Sequence, residues 1–319
     1  MRARVIVVVL GGLVVHGMLR WPLESARTKE WRAAHVLGPE LNLDLREKLG
    51  QNAFVATLGG ARSVVASIEH LRAYAAWEDR DWALVEQRFR LVQQLQPRVP
   101  DYWITGAWHM AYNASGYYRY DWKGPRGENN PAALERLRMD YWRQYIVKGQ
   151  EMFADGMRNN PESWVLAENA ALLHRDVYKI VDHVKAAEYY TRAAAIEGAP
   201  LRLQRFLGYE LSFLPDRRRE ALDLLTRLYQ ESAVNHVPTL LATLLDLQFE
   251  FGVPQAEQVP LERFGASRRE IYESLRDNLL YRRSRGGEYS PAFFAILQEF
   301  EKELDIPLPE RVPGAGEKF

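Results

Sequence analysis

Seven histidines, at positions 16, 35, 70, 109, 174, 183 and 236, are the first residues to weigh for chemistry. None stands in a His-x-x-x-His or His-Glu-x-x-His pattern, the spacing that places two imidazoles on one helical face for zinc. His174 with Glu168 and Asp176 is the one mixed grouping, and a lone helical histidine of that kind reads as structural. Asp79, Asp81, Asp101 and Asp121 fall at expected helix ends or loops. Two carboxylates on one rim would suffice to cut a glycan, but acids in such places ordinarily cap helices. There is no cysteine, which excludes disulfides, thiolate metal sites and thiol nucleophiles. The sequence holds no Gly-x-x-x-x-Gly-Lys-Ser/Thr phosphate loop and no Gly-x-Ser-x-Gly elbow. The expectation is a chain without catalytic residue, metal or cofactor, and therefore not an enzyme. Lys+Arg and Asp+Glu are both 42, so the basic surplus expected of a nucleic-acid binder is missing.

Binding chemistry is better represented than catalysis. Tyr102, Trp103, Trp108, Tyr112, Tyr117, Tyr118, Tyr120 and Trp122 crowd one short stretch. Tyr and Trp are enriched where a partner is anchored or a sugar is stacked. The plainer reading is packing, with Trp103 and Trp108 filling grooves between helices. Tyr117 to Trp122 alternate with Gly, Arg and Asp outside helical spacing, which leaves a binding role open for them. Asn113, Arg62 and Arg72 are further candidates, as polar groups that could hold a partner's backbone or a carboxylate. The plainer alternative makes Asn113 a helix C-cap and leaves the arginines solvated. Arg217 to Arg219, Arg268-Arg269 and Arg282 to Arg285 are expected on solvated faces, with an acidic partner or lipid headgroups as the alternative.

The elements that must position these residues are helical. Apolar positions recur at three and four from residue 60 onward, without strand alternation. The spacing predicts helices over 62–78, 82–95, 101–115, 132–158, 162–178, 183–197, 201–213, 217–232, 236–250, 267–283 and 290–304. Asn130-Pro131, Asn160-Pro161 and Ser290-Pro291 each place a cap before a first-turn proline, and Ser267 to Glu270 has capping-box spacing. Gly116 to Asn130 is expected as a loop, and the segment from Ile306 as a loose tail.

A repeat underlies the helices. Val85, Phe89, Val92 and Pro97 are spaced four, three and five apart, as are Gly149, Phe153, Gly156 and Pro161. Ala186, Tyr190, Ala193 and Gly198 follow the same spacing without the proline, and Ala221, Leu225 and Leu228 follow it more weakly. Two helices packed at close range want a small residue where they touch and a large one in the groove beside it. The pattern resembles the second helix of a tetratricopeptide repeat. Trp103, six residues after Pro97, matches the aromatic that opens the next first helix, and Ala171 falls at the family's small position. The large marks recur after 64, 37 and 35 residues, against a family period of about 34. The long interval implies an insertion, placed around 114–135. The resemblance covers roughly residues 60–250, with 251–304 as capping helices and 305–319 as tail. It implies an all-α stack of helical hairpins, a TPR-like α-solenoid, offering a surface to protein partners.

Residues 5–19 carry no charged side chain and follow Arg2 and Arg4. Their length lies between a signal-peptide core and a membrane span, and no small-residue cleavage pattern follows, because Trp21-Pro22 comes next. The reading is an uncleaved signal anchor over residues 1–21, with Trp21 at the far interface, a connector over 22–59, and the body in the periplasm. A cleaved signal is the alternative. Residues 58–62, 71–73, 96–97 and 107–113 add a likeness to membrane-anchored tetratricopeptide proteins of bacterial envelopes. The expected function is a non-catalytic scaffold or adaptor in a secretion, pilus or transporter complex of the inner membrane. A glycan-binding or glycan-processing protein using residues 117–122 is the alternative.

Overall fold

The computed structural model describes residues 18, 20–31, 33, 60–127 and 129–312. The described residues contain helices and no strand. Residues 20–31 are helical and cross the boundary expected at residue 21. No described helix is long and apolar enough to cross a membrane. The expected anchor, residues 1–21, lies outside the described residues except for Met18, Arg20 and Trp21, as does most of the connector.

Eleven named α-helices follow among the described residues from residue 62 onward: α1 Arg62–Glu78, α2 Trp82–Leu95, α3 Pro100–Trp108, α4 Pro131–Asn159, α5 Trp164–Arg175, α6 His183–Ala194, α7 Arg202–Leu211, α8 Arg218–Glu231, α9 Pro238–Glu250, α10 Arg268–Ser284 and α11 Pro291–Glu303. Their starts follow the expected chemistry. Asn130 accepts from the N–H groups of Ala132 and Ala133 ahead of α4, Ser267 closes a complete capping box with Glu270, and Ser290 caps α11. Asn160 departs from its expected role. Ser163 caps α5, while the Asn160 amide donates to Pro97 O at 2.8 Å and to Gly156 O at 3.1 Å. Trp103 Nε1 donates to the same Pro97 carbonyl at 2.9 Å. The stop of one hairpin is thereby tied to the first and second helices of the next.

Short connections make sequence neighbours pack as antiparallel hairpins, and the hairpins stack in two layers. First helices meet first helices: α3 touches α5, and α7 touches α9. Second helices are joined across their outer side. Lys148 of α4 pairs with Glu86 of α2 at 2.5 Å, Arg90 of α2 with Asp155 of α4 at 2.9 Å, and Arg192 of α6 donates to Met157 O of α4 at 2.9 Å.

The core lies between the layers and is built on the spaced residues. Phe89, Phe153, Tyr190 and Leu225 are all buried, each contributing on the order of 2 kcal/mol by removal from water. Their small neighbours are contact points. A Cβ on Gly149 would fall 2.7 Å from Ala111 Cβ, and one on Gly156 would fall 2.8 Å from Trp103 Cβ. Gly208 repeats the device from the first-helix side, where a Cβ would overlap the Leu225 side chain. Phe206 and Leu207 pack against both the central cluster and the C-terminal cluster, so apolar contact runs unbroken from α1 to α11.

Three expectations need correction. The chain does not become a loop at Gly116: α3 continues as π-helical turns over His109–Ala114 and Tyr117–Asp121. Residues 305–312 are not loose, since Ile306 and Val312 are buried in the C-terminal cluster and Val312 N–H donates to Glu301 at 2.7 Å. The basic clusters are not uniformly solvated. Arg218 pairs with the buried Asp246 at 2.9 Å, and buried Arg282 donates to Ser212 Oγ and O at 2.7 and 2.9 Å with its guanidinium 3.6 Å over the Phe213 ring. Beside them Glu210, fully buried, meets Arg175 at 3.0 Å and His183 at 2.7 Å. Arginine reaches inward here because its planar fork can satisfy several acceptors at once.

A candidate partner-binding site

His70, Tyr74 and Trp77 stand at intervals of four and three on α1, so they share one helical stripe. That stripe faces the point where α3 changes to π-helix. The wider π turn carries His109 into the space between the helices, and π segments recur at functional sites. Tyr74, Trp77 and Trp108 all present their rings to His109, at centroid distances of 5.6, 5.7 and 5.2 Å. Phe89 of α2 stacks on His109 from the core side at 5.2 Å. His109 itself is only 2% exposed, whereas the rings of Tyr74, Trp77 and Trp108 remain 38 to 47% exposed. The result is an aromatic surface on the first-helix layer with a buried imidazole beneath it.

The imidazole is neutral. Burial, and then the neighbouring His70, lower the His109 pKa to about 4. Asn113 Nδ2 lies 3.0 Å from His109 Nδ1; an amide nitrogen only donates, so Nδ1 accepts and Nε2 carries the proton. His70 is lowered too, by burial, and packs among Tyr74, Phe89 and Tyr102 with ring centroids 5.1 to 5.5 Å away. Neutral imidazoles between aromatic faces behave as flat, weakly polar plates. What such a surface can do chemically is anchor a side chain through ring contact and offer a few hydrogen bonds.

The ten sequence-predicted residues separate into groups. Trp108 and Asn113 belong to this surface. Trp103 is buried against Gly156 as a groove filler. Tyr112 turns toward the α5–α6 connection, with Lys179 4.9 Å over its ring and its pKa pushed up to about 12 by burial and then by Asp176. Tyr117 packs on Trp82 at 5.7 Å. Tyr118 stacks on Tyr141 and Tyr145 at 4.5 and 5.1 Å, and Trp122 packs on Tyr141 at 5.2 Å. The ring faces that a sugar would need at residues 117–122 are therefore largely occupied by α4, with Tyr120 alone standing well out at 70% exposure. Arg72 is engaged by the buried Glu69 at 2.7 Å, which also takes Arg88. Arg62 opens α1, half-buried, away from the α1 stripe. Asn113 is no C-cap, since the helix runs on past it.

The other expected constellations stay apart. Glu168 is held by the Arg202 guanidinium at 2.9 to 3.2 Å, Asp176 accepts from Tyr178 N–H at 2.9 Å, and His174 packs on Tyr189 at 5.4 Å. Among the described residues no three metal-ligating groups gather. Among the described residues, two surface clefts lie at the far end of the stack. The larger, about 590 Å³, lies between α9, α11 and the connector before α10, with Phe249, Val259, Ile296 and Phe300 in its wall and Arg268 at its edge. The chain matches no protein-family model and no curated protein.

Sequence reasoning missed Tyr74, Trp77 and the two histidines as one group. The signal was present as the 70, 74, 77 spacing, but aromatic density drew attention to residues 102–122 instead.

Proposed function

We propose that this chain is a non-catalytic adaptor of the tetratricopeptide type. It is held at the bacterial inner membrane by residues 1–21, with its body in the periplasm, and binds other proteins of an envelope assembly. The observation that carries this reading is the surface formed by Tyr74, Trp77 and Trp108 over His109. Three large rings stay 38 to 47% exposed side by side around one buried imidazole, and clustered aromatic anchors of this kind dominate protein–protein binding energy. The two-layer hairpin stack supports the same conclusion, because it holds the rings on rigid helices rather than on loops. The small–aromatic–small spacing supports the family assignment, since the large members fill the core and the glycines touch the facing helix. The charge-free stretch after Arg2 and Arg4 supports the anchor. The test is copurification of the tagged full chain from detergent-solubilised membranes. Defined partners at fixed ratios are expected, and a persistently solitary protein would count against the adaptor reading.

A further inference from the structure

The larger cleft at the C-terminal end of the stack is built from three separate stretches of chain: α9, the connector before α10, and α11. Its most buried lining residues, Leu245, Val259 and Phe300, are apolar and no more than 3% exposed. Phe249, Leu261 and Ile296 line it as half-buried side chains. At about 590 Å³ the space falls in the range of about 300 to 1,000 Å³ in which proteins hold small molecules. The connector wall is held by the protein's own bonds. Gln248 Oε1 accepts from Val259 N–H at 2.9 Å, Gln258 Nε2 donates to Val253 O at 2.7 Å, and Phe264 N–H donates to Leu261 O at 2.9 Å. The cleft is therefore preformed and does not depend on a moving loop. The second cleft, about 510 Å³, has only Leu222 and Val253 as hydrophobic lining residues.

The charge of the larger cleft has one sign. Glu262 and Glu299 line it, and Arg268 is the basic residue among its lining. Arg268 is already satisfied: its Nε donates to both carboxylate oxygens of Glu303, at 2.9 and 3.1 Å, and its guanidinium lies 4.3 Å over the Phe300 ring. The hydrogen bond to Glu303 raises the Arg268 pKa, and the charges of Glu303, Glu262 and Glu299 add to it. Both lining carboxylates are thus close enough to act on Arg268, but among the described residues neither Glu262 nor Glu299 has an ion-pair partner. A concave surface with apolar walls and charges of one sign focuses its field on an incoming counter-ion. Phenyl rings in such a wall attract cations as well, as the seat of Arg268 over Phe300 already shows.

We propose that this cleft binds a small organic cation, with an apolar body against Leu245, Val259 and Ile296 and an ammonium group toward Glu262 and Glu299. The site is distinct from the aromatic surface around His109 and does not rest on the adaptor reading. Two probes of matched shape and opposite charge, 4-phenylbutylamine and 4-phenylbutyrate, are titrated calorimetrically into the full chain in nonionic detergent, with the micelle-only titration subtracted. The amine should bind saturably, at one per chain, and at least tenfold tighter than the carboxylate. Glu262→Gln/Glu299→Gln should weaken the amine at least fivefold. Ile296→Trp, which fills the cleft, should abolish binding. Ala256→Trp, on the exposed rim, blocks the same space without touching the core and should weaken binding at least fivefold. Asp223→Asn in the second cleft should leave it unchanged. Helical circular dichroism matching the parent qualifies each variant. No saturable amine binding, or a carboxylate that binds as tightly, would overturn the proposal. So would amine binding undiminished in the double glutamine variant or in Ala256→Trp, or binding lost in Asp223→Asn.

Discussion

Adding one methyl group at Gly149 should weaken the protein, although the same change elsewhere in a helix strengthens it. Gly149 lies inside α4, where glycine costs about 1 kcal/mol relative to alanine by helix propensity. A Cβ there would stand 2.7 Å from Ala111 Cβ, 2.8 Å from Ala107 O and 3.1 Å from Ala111 N. Two of those atoms are backbone, so no side-chain rotation relieves the overlap, and α3 must move away from α4. Overpacking of this kind costs about 1 to 3 kcal/mol. Gly149→Ala therefore ranges from no gain to a net loss of about 2 kcal/mol. Gly116 supplies the comparison. It is helical at φ −62°, ψ −45°, with no atom within 4 Å of the added carbon, so Gly116→Ala should gain about 1 kcal/mol. The propensity contribution cancels between the two variants, and their difference isolates the steric cost. Urea unfolding followed by far-UV circular dichroism reads both midpoints at unchanged slope. Equal stabilisation by the two substitutions would refute the close approach of α3 and α4, and with it the small-residue logic of the repeat.

Acid should destabilise the protein through His109. Its folded pKa of about 4 lies below the ordinary 6.5, so the stability it contributes is complete above pH 6.5. That contribution is lost as pH falls toward 4, because the unfolded chain takes up a proton that the folded chain refuses. At about 1.4 kcal/mol per pH unit the loss reaches roughly 3 kcal/mol near pH 4. His109→Phe should show a smaller drop between pH 7 and about pH 4.5 in the same urea assay, and an identical drop would argue against a neutral buried imidazole. Glu210→Ala should cost about 3 to 5 kcal/mol, because it strands the Arg175 cation in the interior; a shift of the urea midpoint worth under 1 kcal/mol would count against the pairing. Trp103→Ala should cost about 3 to 5 kcal/mol, whereas Tyr120→Ala, at an exposed ring, should stay within about 0.5 kcal/mol. Comparable thermal shifts for the two would contradict the placement of these rings.

Much of this architecture was legible in the chain. Helix starts at Asn130, Ser267 and Ser290 were readable because side-chain oxygens close to a first turn have few other uses. The second-helix marks at Phe89, Phe153 and Tyr190 were readable because close helix packing enforces a fixed order of small and large residues. The continuation of α3 through Tyr117 and Tyr118 was not. Glycine, arginine and aspartate interrupt the apolar period there, and a π-helical turn shifts the face that each residue presents. Arg218 and Arg282 were also misjudged, since their burial depends on acceptors more than 25 residues away, at Asp246 and Ser212. The aromatic surface was half legible: Trp108 and Asn113 could be picked out by type, but their union with Tyr74, Trp77 and His109 depends on how α1 meets α3.

Capture of partners by the wild-type chain and by Trp77→Ala/Trp108→Ala, measured quantitatively from detergent-solubilised membranes, tests the central claim most directly. Tyr120→Ala serves as the control, and helical circular dichroism confirms that each variant is folded. The account predicts that wild type and control retain the same envelope proteins, and that the double variant loses them at least tenfold. Equal retention by the double variant, or no partner for the wild type, would contradict it.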